Sequence, residues 1–184
     1  MILSNIDIIT SVKKRQIQIV PFSKDYVYPA SYAFHVDEKL LRPIGNDLID
    51  FRKGLLPEYE EITMTQEHGY VLQPGEFILG QTHEKLTLSD SLAMVIEGRS
   101  SLARVGLEIV QTSTFVEPNH TDSIITLELK NNGKSPFLLY PGMKIAKGIF
   151  YRLESSSVPD YNQGTYITQD EVEPPHIAEY RQLA

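Results

Sequence analysis

Apolar and polar residues alternate with a period near two along much of this chain. The runs "QIQIV" (16–20), "SYAFHV" (31–36), "EITMT" (61–65), "GEFILGQT" (75–82) and "IITLEL" (124–129) predict strands with one buried face. Turn-forming clusters separate them: "QPGE", "EPNH", "NNGKSP" and "YPGMK". Many short strands joined by Gly/Pro turns predict a β barrel or sandwich. One helical stretch stands out, "SNIDIITSVKKRQ". Ser4 is placed to cap it with Asp7 three residues on, Ile6, Ile9 and Val12 share a face, and Lys13, Lys14 and Arg15 suit its C-terminal end. Residues 43–61 read as a long surface excursion. The last fifteen residues carry Asp170, Glu171, Glu173 and Glu179 against Arg181, so a mobile tail, or one laid over a neighbouring chain, is expected. The division predicted is a β domain over residues 1–170 and an acidic tail over 171–184.

Composition narrows the function. A chain of 184 residues with 41% apolar residues can bury a real core. Its net charge of −7 disfavours duplex nucleic acid as a partner. A small anion remains possible, because a few clustered arginines dominate a local field. The absence of cysteine removes disulfides and thiolate metal sites. No apolar run approaches a membrane span, and "MILSNIDI" reads as neither a basic leader nor a cleavage site. A cytoplasmic location away from membranes is expected.

Candidate chemistry concentrates in two places. After the apolar run "SLAMVI" comes "EGRSSLARVGLE", residues 97–108. Its Arg99, Ser100, Ser101 and Arg104 form a plausible phosphate cradle, since guanidinium forks match phosphate oxygens and hydroxyls add donors. The competing arrangement pairs Arg99 and Arg104 with Glu97 and Glu108 on a solvated surface. The second place is Glu128 in "SIITLELKNNG", flanked by Leu127 and Leu129 on a strand whose other face is also largely apolar. Burial raises a carboxyl pKa, which is what a general acid/base near neutral pH needs; the alternative is an exposed strand face with a cross-strand ion pair. The five histidines form no HExxH and no evident ligand cluster, and neither a Walker loop nor GxSxG occurs.

These residues resemble something specific. "EGRSSLARVGLE" is similar to the signature of the dCTP deaminase branch of the dCTP deaminase/dUTPase family. The likeness extends to "MILSNIDI", to "PAS" (29–31), to "LQPGEFILGQTHEKLTL", to "ITLELKNNGKSPFLLYPGMKIAKGIFYRL" and to "YNQGTYITQ". It covers roughly residues 1–35 and 70–170. It implies a mainly β fold, a distorted dUTPase-like barrel with a short N-terminal helix, assembling as a homotrimer with sites between subunits. It implies hydrolytic deamination of dCTP to dUTP and ammonia without zinc, with Mg²⁺ carried on the triphosphate. The family's catalytic glutamate falls on Glu128, and the serine and arginine that orient water and base fall on Ser100 and Arg104. Nucleotide-binding positions fall on Arg99 and Ser101 near the phosphates, Thr112 in "QTSTF", Glu117 in the sugar loop, and Tyr161 and Gln169 in the C-terminal segment that closes over nucleotide.

The chain also departs from that pattern. Its sugar loop, "VEPNHTDS", has Glu117 where the family has aspartate and Asn119 where it has glycine. Thr165 replaces a phosphate-facing lysine, and Asp170-Glu171 replaces a basic-glycine pair. Two acids beside a triphosphate are unfavourable unless a cation intervenes. A bifunctional dCTP deaminase/dUTPase and a divergent paralogue, non-catalytic or with an altered substrate, are the alternatives.

Overall fold

The computed structural model describes residues 1–45, 47–158, 166 and 168–181. The chain runs α1 (Asn5–Lys13), β1 (Ile17–Val20), a 3₁₀ turn (Lys24–Tyr26), β2 (Val27–Tyr28), β3 (Ser31–Ile44), β4 (Glu58–Thr63), β5 (Tyr70–Leu72), β6 (Phe77–Thr82) and β7 (Lys85–Leu88). It continues with β8 (Leu92–Gly98), α2 (Ser100–Ala103), β9 (Leu107–Glu108), β10 (Phe115–Val116), β11 (Thr126–Asn131), β12 (Phe137–Leu139), β13 (Lys144–Arg152) and α3 (Ala178–Arg181). None of the described helices is long and apolar enough to cross a membrane.

The main sheet has the order β10-β8-β13-β3-β6-β11-β9, with β2 and β4 also pairing β3. Strand β3 makes the curvature. Its first half pairs β13 through Tyr32 to His35, and its second half pairs β6 and β4. The β3–β6 ladder slips between Val36 and Leu40, and such an irregularity bends and twists a strand. The sheet therefore curls into a half-barrel, the mainly β architecture expected. Its concave side holds the core, including Tyr32, Phe34, Leu40, Ile78, Leu127, Leu129 and Phe150, all fully buried.

Three expectations change. In α1 the capping box forms as predicted: Asp7 N–H donates to Ser4 Oγ at 3.3 Å and Ser4 N–H to Asp7 Oδ2 at 3.2 Å. The buried face, however, is set by Ile8 and Ser11, and Ile6 is 72% exposed. The helix is only nine residues long, and the direction of its packing against β1 and β2 outweighs a pattern read from three apolar residues. Residues 43–61 are not one excursion, because Pro43 and Ile44 close β3 and Glu58 to Glu61 open β4 in register with it. The proline at 43 and the acidic residues Glu58, Glu60 and Glu61 hid the two strand ends.

The acidic tail is the third. Its described part lies on its own chain's sheet. Val172 is buried against Leu41 and Leu79, and its N–H donates to Gln81 Oε1 at 2.8 Å. Asp170 pairs with Lys85 at 2.5 Å and Glu171 with Lys39. Tyr180 packs edge-on to Phe51 at 5.1 Å. Burying a valine is worth about 1.5–3 kcal/mol, enough with two ion pairs to fasten a short segment.

Candidate active site

Strand β8 delivers the signature. It ends at Gly98, and Arg99 follows in extended backbone (φ −99°, ψ 135°) as N-cap of the single-turn helix α2. The Arg99 carbonyl accepts from Leu102 N and Ala103 N, each at 3.0 Å. The backbone of Arg99 is thereby tied down where β8 meets α2. The turn closes at Gly106, whose φ of +89° suits only glycine without strain. A Cβ there would lie 2.4 Å from Gly133 N, so the loop after α2 and the loop after β11 touch backbone to backbone. Asn132 joins them, donating its N–H to the Gly106 carbonyl and its side-chain amide to Glu108 Oε2, both at 2.8 Å. The signature is thus sewn to the end of the strand that carries Glu128.

Beside this junction is a cleft of about 550 Å³ whose lining includes Glu97, Arg99, Ser100, Glu108, Asn132 and Lys147. That volume suits a small-molecule ligand. Pairing of Arg99 and Arg104 with Glu97 and Glu108 does not occur: among the described residues neither arginine forms an ion pair. Arg99 instead donates through Nη2 to Tyr28 Oη at 3.4 Å, with its guanidinium carbon 5.6 Å from that ring's centre. The hydrogen bond and the positive charge hold the Tyr28 phenol below its ordinary pKa. Arg99 Nη1 is buried and has no acceptor. Buried donors are nearly always satisfied, so this nitrogen is a place for an incoming acceptor.

Glu128 lies half-buried in β11, opposite Leu79 of β6. Its Oε2 accepts from Gln111 N–H at 2.9 Å, and its own N–H donates to the Ile109 carbonyl at 3.0 Å. Its face is less apolar than expected, since Thr126 and Lys130 share it and both are half-buried. This face of the sheet is covered only in part, by the tail around Val172. One carboxylate oxygen is held by a backbone amide, which offsets part of the desolvation cost. The other has no hydrogen-bond partner among the described residues.

Other predicted residues are dispersed. Ser100, Ser101 and Arg104 are exposed on and beside α2, and Thr112 and Glu117 are exposed in the segment between β9 and β11. Asn119 has φ +62°, a left-handed conformation asparagine tolerates better than most residues. Gln169 is buried, with Oε1 accepting from Thr126 Oγ1 at 3.3 Å and Nε2 lacking a partner. Tyr161 and Thr165 lie outside the described residues. The acids expected to face a triphosphate, Asp170 and Glu171, are occupied by Lys85 and Lys39. Within one chain Arg99 and Ser100 share the cleft, and Gln169 reaches the Glu128 strand through Thr126. No hydrogen bond or ion pair joins Glu128 to Ser100 or Arg104.

Some features had no sequence signal. Lys147 enters the cleft because β13 pairs β8 with Lys147 opposite Glu97. Tyr28 meets Arg99 only through the fold. His35 and Glu84, both buried, pair at 2.5 Å across 49 residues under the ring of Tyr26. Among the described residues no group of three or more His, Asp or Glu side chains is placed to hold a metal ion.

The chain matches the family model described as "dCTP deaminase-like" over residues 2–153. It is 37% identical over 172 residues to a protein of Pseudarthrobacter chlorophenolicus named "dCTP deaminase, dUMP-forming", a match covering 90% of this chain and 87% of that one. A protein of Tropheryma whipplei with the same name is 37% identical over 165 residues, covering 88% of this chain and 83% of its own. Among solved structures, a 2′-deoxycytidine 5′-triphosphate deaminase from Agrobacterium tumefaciens superposes with a TM-score of 0.65 at 20% identity. That match covers 83% of this chain and 49% of the other, so this chain spans about half its length, and it speaks for the fold. The half-barrel, the strand-borne glutamate sewn to an arginine-serine turn, and the family match over most of the sequence lead to one conclusion: the chain belongs to the dCTP deaminase-like family.

Proposed function

We propose that this protein hydrolyses the C4–amino bond of the cytosine in dCTP. The observation that carries the reading is the Arg99–Ser100 cleft, open and without ion pairs, built against the strand that presents Glu128. In the proposed mechanism Glu128 takes a proton from water as its oxygen adds to C4, then passes a proton to the departing ammonia. Ser100 and Arg104 orient water and base. Arg99 and Ser101 contact the phosphates, with Thr112, Glu117, Tyr161 and Gln169 enclosing the nucleotide. A positioned acid/base of this kind contributes about 10²–10⁴-fold.

Product and assembly are proposed with it. The expectation was release of dUTP. The name of the relatives, "dUMP-forming", supports the bifunctional alternative, in which dCTP and two waters give dUMP, ammonia and pyrophosphate. Mg²⁺ enters as the counterion of the triphosphate; Glu97, a cleft carboxylate without an ion pair, suits a cation brought in that way. A homotrimer is proposed because Ser100 and Arg104 are exposed and do not meet Glu128 within one chain, so a neighbouring copy is needed to complete the site. The non-catalytic reading loses one support, since the tail acids are neutralised by lysines.

The test is a panel of dCTP, dCMP and dUTP with Mg²⁺, read for ammonia, pyrophosphate and nucleotide product. One ammonia and one pyrophosphate per dCTP, with dUMP, is the expected result. Accumulating dUTP without pyrophosphate would select the monofunctional enzyme, and no ammonia from any nucleotide would select the non-catalytic paralogue.

A further inference from the structure

The Arg99 side chain has to project from a strand end into a cleft about 550 Å³ in volume, and its backbone is engaged in capping α2. An arginine in that situation has many rotamers to lose, and each immobilised side chain of this kind weakens binding unless it is held beforehand. Neither Glu97 nor Glu108 holds it. What does is an aromatic ring from a different part of the fold.

Tyr28 ends β2, pairing with Ser31 across the tight turn Tyr28-Pro29-Ala30-Ser31. Pro29 restricts that turn, and its carbonyl accepts from Asn5 N–H at 2.8 Å, so α1 clamps it. The half-buried ring has little freedom of its own. Next to it Tyr26 carries Lys144 Nζ at 4.9 Å from its ring centre and packs on His35 at 4.3 Å. Two tyrosines on adjoining turns thus each face a cation. Arg99 uses Nη2 on the Tyr28 hydroxyl and leaves Nη1 buried and without an acceptor.

We propose that Tyr28 is a positioning residue for phosphate binding: its ring and hydroxyl hold the Arg99 guanidinium so that Nη1 is presented to a nucleotide phosphate. The inference rests on the reading above that Arg99 contacts the phosphates. The lowered Tyr28 pKa, caused first by its hydrogen bond from Arg99, agrees with the contact. Because Tyr28 touches no reacting atom, its removal should raise KM and leave kcat alone. The effect should grow with the number of phosphates on the nucleotide.

The experiment is a double-mutant cycle in the full-length protein: Tyr28→Phe, Tyr28→Leu, Arg99→Gln and the combinations, each assayed for KM and kcat with dCTP and for dCMP affinity. Arg99→Gln should weaken dCTP about 10- to 100-fold, the range for losing a charged hydrogen bond. Tyr28→Leu should raise KM for dCTP about 3- to 10-fold, as expected for loss of a cation–π contact with an ordering role. Tyr28→Phe, which keeps the ring, should recover most of that. In the Tyr28 variants kcat should stay within about twofold and dCMP affinity should change less than dCTP affinity, and Tyr28→Leu should add nothing in the Arg99→Gln background. Unchanged dCTP affinity in Arg99→Gln would overturn the phosphate role of Arg99, and this proposal with it. A loss in Arg99→Gln with none in Tyr28→Leu, or fully additive losses, would overturn the Tyr28 role alone. Thermal melts of Tyr28→Phe and Tyr28→Leu accompany the kinetics; a KM rise equal for dCMP and dCTP that follows lost stability would mean Tyr28 only supports the fold, which also overturns the proposal.

Discussion

The two ends of the signature-to-tail surface treat charge in opposite ways. Around α2 and the cleft, Glu97, Arg99, Arg104 and Lys147 have no ion partner among the described residues. Along the described part of the tail the charges are matched: Lys85 with Asp170, Lys39 with Glu61 and Glu171, His176 with Glu173 at 2.8 Å. The difference separates two uses of ionic groups. Exposed pairs such as those of the tail gain little each, about 0–1 kcal/mol, and serve to choose where a segment lies. Unpaired groups held by backbone and aromatic contacts cost stability and keep their hydrogen-bonding capacity for a ligand. The same comparison adds what the sequence did not show: Asp170 and Glu171 each have a lysine partner within the fold.

Substitutions should divide along this line. The largest effect is expected for Glu128→Gln, which keeps the shape and the Gln111 contact but cannot shuttle a proton. Ammonia release from dCTP should fall about 10²–10⁴-fold with nucleotide affinity and melting temperature nearly unchanged. Near-normal turnover would move the chemistry to another group. Next comes Gly106→Ala, where an added Cβ would meet Gly133 N at 2.4 Å in a backbone with φ +89°. Strain of this kind costs on the order of 1–3 kcal/mol. Because this turn sews α2 to β11, thermal stability and deamination should fall together, unlike in Glu128→Gln.

A smaller effect depends on pH. His120, in the loop after β10, is buried with Nε2 unpartnered, and burial lowers its pKa below the ordinary 6.5. A histidine kept neutral in the folded state contributes stability that is complete above its unfolded pKa and is lost as pH falls through the lowered folded value. Denaturant midpoints should decline below about pH 6.5, and His120→Gln should flatten that decline. A wild-type midpoint level from pH 7 to 5 would show that proton uptake there is unlinked to folding. The smallest effect is expected for Lys39→Gln with Lys85→Gln. Stability should change by less than about 1 kcal/mol, while limited proteolysis within residues 166–177 should quicken, and wild type should approach the variant at high salt. Val172→Ala, which removes buried apolar area at about 0.8 kcal/mol per CH₂, should loosen the same segment without salt dependence.

What the sequence determined by itself is local. Period-two runs placed most strands, Ser4 and Asp7 defined the start of α1, Gly/Pro clusters marked the turns, and the residues 97–108 and 124–144 carried the family resemblance. These signals come from neighbours a few positions apart, through alternation, capping and allowed φ. The tertiary structure decided the rest, because it depends on pairings between distant residues. Tyr28 meets Arg99 across 71 residues and His35 meets Glu84 across 49. Lys147 reaches the cleft through the register of β13 on β8. Val172 leaves solvent only because Leu41 and Leu79 lie side by side on β3 and β6. Alternation tells which residues face inward; which inward or outward neighbours they meet is set by sheet order, bulges and loop contacts, and no local pattern encodes those.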